Sequence, residues 1–276
     1  MSPAVREIEL ARFRLEESGW SRETEGDLVA VEEPLEIRVE GRGLAVVMRT
    51  PGHDRELVAG FLLTEGLIRS ANDLFDISPC AAGEEGENRG NVIDVFLRDP
   101  DTFQIERLTR HVFSSSSCGI CGKSTIESVF LSFPPITGGP VITAEFLRKL
   151  PPLLRDSQAG FDRTGGLHAS AIFSAEGELQ VLREDAGRHN ALDKVIGEAL
   201  LMGRLPLSES ILLVSGRISF ELMQKALAAG IPIVAGISAP SSLAIDLARD
   251  SGQTLAGFVR GSGFNIYAGA SRIDPL

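Results

Sequence analysis

The chain has 276 residues, 43% apolar and 24% charged, with 27 Lys and Arg against 38 Asp and Glu, for a formal net charge of -11. That composition suits a folded globular protein long enough for two ordinary domains, and its acidity argues against a nucleic-acid partner gripped by a broad basic face. The 3 cysteines, an odd number, fit a reducing compartment better than a disulfide framework.

The start, Met1-Ser2-Pro3-Ala4-Val5-Arg6-Glu7, lacks the basic-then-apolar pattern of a secretory signal. No apolar run reaches the length of about 18 residues that a membrane span needs. A cytoplasmic location with no membrane partner is expected. Residues 1–26 mix charges without a stable period and read as a tail.

Residues 27–139 read as a small α+β domain. Leu35 to Val39 alternates apolar and charged side chains, the period of a half-buried strand. Gly41-Arg42-Gly43 turns the chain, and Leu44 to Met48 returns as the second arm of a hairpin. Pro51-Gly52 marks a turn before a helix from Asp54 to about Glu65, with Leu57, Phe61 and Leu62 on one face and Gly66 as its stop. Asp54 is expected to cap that helix, with His53 packed beside it. Cys80 reads as a buried small hydrophobe. Val92 to Leu97 is a further strand.

The next stretch, Ser114 to Lys123, holds Cys118-Gly119-Ile120-Cys121-Gly122-Lys123 behind a run of serines. Ser124-Thr125-Ile126-Glu127 has the capping-box pattern, so the loop is expected to feed a helix N-terminus. The helix dipole and Lys123 both favour a thiolate there. A mobile loop presenting a nucleophilic sulfur is the expectation. A half zinc site needs two more ligands, and a thioredoxin-type pair normally follows a strand with a helix starting at once. Phe133 to Pro140, dense in Pro and Gly, is the candidate boundary.

Residues 140–276 carry an alternating rhythm of helices and strands. Helices are expected over Thr143–Gln158, disturbed by Pro151-Pro152, and over Asn190–Met202 and Phe220–Ala229, with another starting at Ser241-Ser242. Strands are expected over Leu167–Phe173, Leu179–Leu182, Ile211–Val214, Ile231–Ile237 and Thr254–Val259, the last closing the sheet. This order predicts α/β architecture, a cytidine-deaminase-like three-layer α-β-α sandwich around a mixed sheet.

Ligands of α/β sheets bind at strand ends. The loops Thr164–His168, Glu184–Asn190, Ser215–Ser219 and Ser238–Ser242 are rich in small and polar residues. Each is accounted for by plain N-capping when taken alone. Together, two helix N-termini side by side with Arg217 suit a diphosphate. Arg260, in Phe258-Val259-Arg260-Gly261-Ser262-Gly263, suits a phosphate as well.

Cys118 to Lys123, Thr50-Pro51-Gly52-His53-Asp54, the run Arg183 to Lys194, and Ser215-Gly216-Arg217 together resemble the FdhD family, the formate dehydrogenase accessory sulfurtransferases. The resemblance runs from about Leu28 to Tyr267. It implies a homodimer that takes persulfide sulfur from a cysteine desulfurase. It implies delivery of that sulfur to the molybdenum or tungsten bis-guanine-dinucleotide cofactor, bound as a substrate, for formate dehydrogenase. Carried over by motif, Cys118 bears the persulfide and Cys121 is its partner. Phe258, Val259, Arg260, Gly261, Ser262 and Gly263 align with the cofactor-binding segment, and Ser215 and Arg217 join them from the strand-end reading.

Two rivals follow. His168-Ala169 resembles the start of a zinc-deaminase signature, but Ser170 stands where the catalytic Glu belongs, the cysteine pair precedes His168, and Ser117 replaces the proline. No catalytic zinc is expected. A cofactor-binding chaperone without sulfur chemistry is the other rival, and it has no need of reactive thiols.

Overall fold

The computed structural model describes residues 4–80, 90–100 and 133–276. Its first element corrects the expected tail. β1 (Val5–Glu16) and β2 (Gly19–Ala30) form a long antiparallel hairpin, in register from Val5↔Ala30 to Glu16↔Gly19. Its strand period is hidden because the apolar set changes face at Ala11-Arg12. Ile8 and Leu10 lie on one face, and Phe13 and Leu15 on the other. Arg12–Glu25 and Arg14–Glu23 ion pairs brace the first face. Phe13, Leu15 and Trp20 stand exposed on the second.

β3 (Glu33–Val39), β4 (Arg42–Arg49), β5 (Leu74–Pro79) and β6 (Val92–Leu97) make a four-stranded sheet in the order β4-β3-β6-β5. Leu35, Ile37 and Val39 point into the core, while Glu36 and Arg38 pair with each other outside, as the alternation requires. In β5, Asp76 breaks the apolar period at a register shift, so the strand has no clear sequence signature. α1 (Asp54–Thr64) crosses this sheet. Every residue from Leu57 to Thr64 is buried, not one face only, because α1 has protein on both sides.

The second sheet has six strands in the order β13-β12-β11-β10-β8-β9. β8 (His168–Ser174) and β9 (Leu179–Asp185) form a hairpin at one end. β10 (Ser210–Val214), β11 (Ile233–Gly236) and β12 (Thr254–Arg260) run parallel, and β8 and β13 (Gly263–Ala268) run against them. β13, not β12, is therefore the edge, a correction to the expected closing strand. A short parallel pair, β7 (Ile142–Thr143) with β14 (Ile273–Asp274), completes the strands of the described residues.

α2 (Ala144–Asp156), capped by the Thr143 hydroxyl on the Phe146 amide, packs Leu147, Leu150 and Leu154 under Ile211, Leu213 and Ile233. It runs through Pro151 and Pro152. A short α3 (Ala159–Thr164) follows. α4 (Arg188–Leu201), α5 (Phe220–Ala228) and α6 (Ser242–Asp250) supply the opposite face, where Leu212, Val214 and Val234 point. The six-stranded sheet is thus mixed and covered by helices on both faces. α1 also lies against α4, so one apolar core runs from the small sheet into the larger one.

Candidate functional site at the strand ends

Cys118, Cys121 and the capping box after them lie outside the described residues. The other motif residues fall into two groups. One group joins the two sheets, and the other lines the edge of the six-stranded sheet where β10, β11 and β12 end.

Thr50, Asp54 and the run from Arg183 to Lys194 belong mostly to the first group. Asp185, fully buried, accepts from the Thr50 amide at 3.0 Å and from Lys194 at 2.7 Å through Oδ2. Its Oδ1 accepts from the Gly187 amide at 2.8 Å and Asn190 at 3.0 Å. Lys194 also donates to the Thr50 carbonyl at 2.8 Å, and Asn190 to the Met48 carbonyl at 2.6 Å. Arg183 grips Glu56 bidentately at 2.6 and 2.9 Å. The Asp185–Lys194 pair is buried and the Arg183–Glu56 pair partly so, so losing one partner of the buried pair would strand the other.

Asp54 does not cap α1. It forms a bidentate pair with the buried Arg49, 2.9 Å on each arm, and Arg49 reaches Asn91 as well. His53 occupies the cap position in the left-handed region, φ 60°, with Nδ1 3.2 Å from Glu56 Oε1. Cys80 is half-exposed rather than buried: it follows the last residue of β5 and lies beside the Arg38 guanidinium, 3.9 Å from Sγ.

At the strand edge, two loops are zipped together. The Ile218 amide donates to the Ala239 carbonyl at 3.1 Å, and the Ser241 amide to the Ile218 carbonyl at 2.9 Å. The N-termini of α5 and α6 therefore lie side by side. Ser219 and Ser241 cap them on the Leu222 and Ala244 amides, so both hydroxyls serve as N-caps. Ser215 continues the β8–β10 ladder: its hydroxyl accepts from the Ala169 amide at 2.9 Å and its own amide donates to the Ala169 carbonyl at 3.0 Å. Arg217 is exposed in the same loop.

Phe258 to Gly263 form the bulged end of β12 and its tight turn into β13. Phe258 sits in the left-handed region at φ 54°, half-exposed, and its amide donates to the Ser238 carbonyl at 3.1 Å. That backbone is strained for a residue with a Cβ. It turns the ring outward, where the exposed Arg260 guanidinium lies 5.7 Å from the ring centroid. Val259 points the other way, fully buried in the core against α2, so only its backbone faces the edge. Gly261 and Ser262 are exposed at the turn, and the Gly261 carbonyl accepts from Arg148 at 3.1 Å. Gly263, at φ 148°, pairs with Arg260 to close the turn.

Behind this edge, His189 of α4 is buried with Nε2 3.3 Å from both Ser219 Oγ and Glu221 Oε2, tying α4 to the start of α5. Among the described residues, no group of three His, Cys, Asp or Glu is arranged to hold a metal ion. No described helix is long and apolar enough to cross a membrane.

A sequence model of the FdhD/NarQ family matches residues 30–274. Among curated proteins, the Sulfur carrier protein FdhD of Streptomyces coelicolor is 53% identical over 258 residues, 91% of this chain and 90% of that protein. The Sulfur carrier protein FdhD of Sulfolobus acidocaldarius is 43% identical over 270 residues, 98% of this chain and 99% of that one. A crystal structure assigned as a formate dehydrogenase accessory protein from Desulfotalea psychrophila superposes with a TM-score of 0.73 at 27% identity. That similarity covers 97% of this chain and 99% of the other.

Proposed function

The chain belongs to the FdhD/NarQ family, and from that premise we propose that it is a sulfur carrier in the maturation of formate dehydrogenase. It accepts persulfide sulfur from a cysteine desulfurase on Cys118 and passes it to the molybdenum or tungsten bis-guanine-dinucleotide cofactor, in the cytoplasm and as a homodimer. The Cys118 thiolate attacks the outer sulfur of the donor persulfide. A new S–S bond forms at Cys118, the donor S–S bond breaks, and the donor leaves as a cysteine thiolate with no net oxidation. Delivery at the sulfide level takes two electrons: a second thiolate, Cys121 or in its absence an external thiol, attacks the Cys118 sulfur, the Cys118 S–S bond to the outer sulfur breaks, that sulfur leaves as sulfide, and the two thiols are left as a disulfide.

The cofactor is the substrate, held by its phosphates and guanine. The observation that carries this part is the convergence at one sheet edge of two adjacent helix N-termini, Arg217, and the Phe258–Gly263 turn with its exposed ring and Arg260. Helix N-termini and arginines favour phosphate, and an outward aromatic ring offers a face on which a base stacks. Ser215 contributes by fixing the loop rather than by a free hydroxyl. Incubation with a cysteine desulfurase and cysteine, followed by mass spectrometry of the Cys118 peptide, tests the sulfur step. A cofactor chaperone without sulfur chemistry would leave that peptide's mass unchanged.

A further inference from the structure

Arg188, His168 and Arg217 come from three strands that neighbour one another in the six-stranded sheet. Arg188 opens α4 just beyond the end of β9, His168 is the first residue of β8, and Arg217 lies in the loop leaving β10. Gly216 marks where they meet. A Cβ placed there would stand 3.2 Å from His168 Nδ1 and 3.8 Å from Arg188 Cδ.

Among the described residues, the side chains of this corner have one carboxylate near them, Asp185, and form no ion pair with it. Several arginines elsewhere are engaged: Arg38 with Glu36, Arg49 with Asp54, Arg183 with Glu56, Arg148 with Glu145, and Arg272 with the Gly138 carbonyl. Neither the Arg188 nor the Arg217 side chain makes a hydrogen bond or ion pair with a described residue, and Arg188 Nε is buried without an acceptor. The nearby carboxylate, Asp185, already accepts from four donors. Burial lowers the His168 pKa, and Arg188 and Arg217 lower it further against an opposing pull from Asp185. A buried donor without a partner costs free energy, and like charges held together add to that cost. In a chain of net charge -11 such a corner is a local positive focus.

We propose that Arg188, Arg217 and His168 form a diphosphate subsite at the strand edge, with Arg188 as the guanidinium that takes the anion and Gly216 keeping the approach open. The proposal rests on the cofactor reading given above, and assigns to that ligand residues separate from the Phe258–Gly263 turn. Two guanidinium forks match the oxygens of a diphosphate. A neutral imidazole adds a donor without repelling either arginine. β10 and β12 are separated by β11, so their ends lie two strand spacings apart, about 10 Å. That span is within the reach of a nucleoside running from a phosphate at Arg217 to the turn at Phe258.

Titration calorimetry on the full chain, with guanosine diphosphate, adenosine diphosphate, guanosine and inorganic pyrophosphate as probes, tests the subsite. Wild type is expected to bind pyrophosphate. Arg188→Gln is expected to weaken pyrophosphate and guanosine diphosphate at least tenfold while guanosine is unchanged, and Arg188→Lys to restore part of the loss. Pyrophosphate binding to Arg188→Gln at wild-type affinity overturns the subsite. Should thermal unfolding show Arg188→Gln to be misfolded, Arg217→Gln, on an exposed side chain, is read by the same criterion. Equal affinity for the two nucleotides, with pyrophosphate lost in the variant, keeps the subsite and removes guanine recognition. Guanosine binding with no gain from a diphosphate removes the subsite and keeps the nucleoside reading. A wild type that binds none of the probes removes both.

Discussion

Gly60 of α1 and Gly197 of α4 lie against each other's helix backbone. A Cβ on Gly60 would run into the Asp193 carbonyl, and one on Gly197 into the Glu56 carbonyl. The helix of the small sheet and the first helix of the larger sheet therefore touch with no side chain between them. The polar contacts from Thr50 and Glu56 to Asp185 and Arg183 depend on that spacing. Gly60→Ala and Gly197→Ala are each expected to cost about 1–3 kcal/mol from overpacking, toward the upper end because the obstacle is backbone. Urea unfolding of each variant measures this, and a loss below 0.5 kcal/mol would mean that the helices separate easily.

Lys225 of α5 fastens the same junction. Its ammonium donates to Asp193 at 2.9 and 3.0 Å and to Thr64 at 2.9 Å, all buried. Burial acts to strip its proton, but the Asp193 carboxylate more than holds it, and the pKa lies above its ordinary value. Asp193→Ala leaves a buried unpaired ammonium and is expected to cost about 3–5 kcal/mol. Asp193→Ala combined with Lys225→Met is expected to cost less than Asp193→Ala alone. A double-mutant cycle by urea unfolding reads the difference, and simple additivity would contradict the pairing.

The Arg183–Glu56 pair makes part of the stability acid-sensitive. Burial alone would raise the Glu56 pKa, but hydrogen bonds from Arg183 and His53 outweigh it and hold it at about 2, against an ordinary 4.5. A carboxyl depressed in the folded state stabilises fully above its unfolded value and loses that contribution as pH falls through its folded value. Wild type should therefore lose stability between about pH 4.5 and 2 more steeply than Glu56→Gln. Equal slopes in urea unfolding at pH 5 and pH 3 would show that Glu56 is not held this way.

The strands at Glu33–Val39 and Ser210–Val214 and the helices at 54–64 and 220–228 are legible in the sequence because their periods are local. The hairpin of 5–30 is not, since its apolar residues change face midway and ion pairs replace a core. β13 carries a readable alternation in Phe264, Asn265, Ile266, but only over a few residues behind a glycine turn. At the strand edge, the sequence points to these loops without showing which side chains are already engaged. Ser215 is taken by the Ala169 amide and Val259 by the core, facts fixed by strands distant in sequence. Thr50 and Asp185 look like separate polar motifs and prove to be one contact across 135 residues. No local pattern encodes such a pairing.

Arg260 lies exposed over the outward Phe258 ring, free to turn toward a phosphate at the strand edge. Arg260→Ala is expected to weaken guanosine diphosphate binding by about 1.5–3 kcal/mol, the range of a charged hydrogen bond. Adenosine diphosphate is expected to bind much more weakly than guanosine diphosphate to the wild type. Calorimetry with both nucleotides checks this. Unchanged affinity in Arg260→Ala would remove the residue from the site.

Sulfur carriage on Cys118 is tested most directly by mass spectrometry after incubation with a cysteine desulfurase and cysteine. In the wild type the Cys118 peptide should gain about 32 mass units, one sulfur. Cys118→Ala should carry no persulfide and leave formate dehydrogenase inactive with its cofactor inserted, while Cys121→Ala should retain some activity. A Cys118→Ala protein that gains the same mass at Cys121 and activates the enzyme normally would contradict the assignment, and a wild type that gains no sulfur would contradict the carrier role itself.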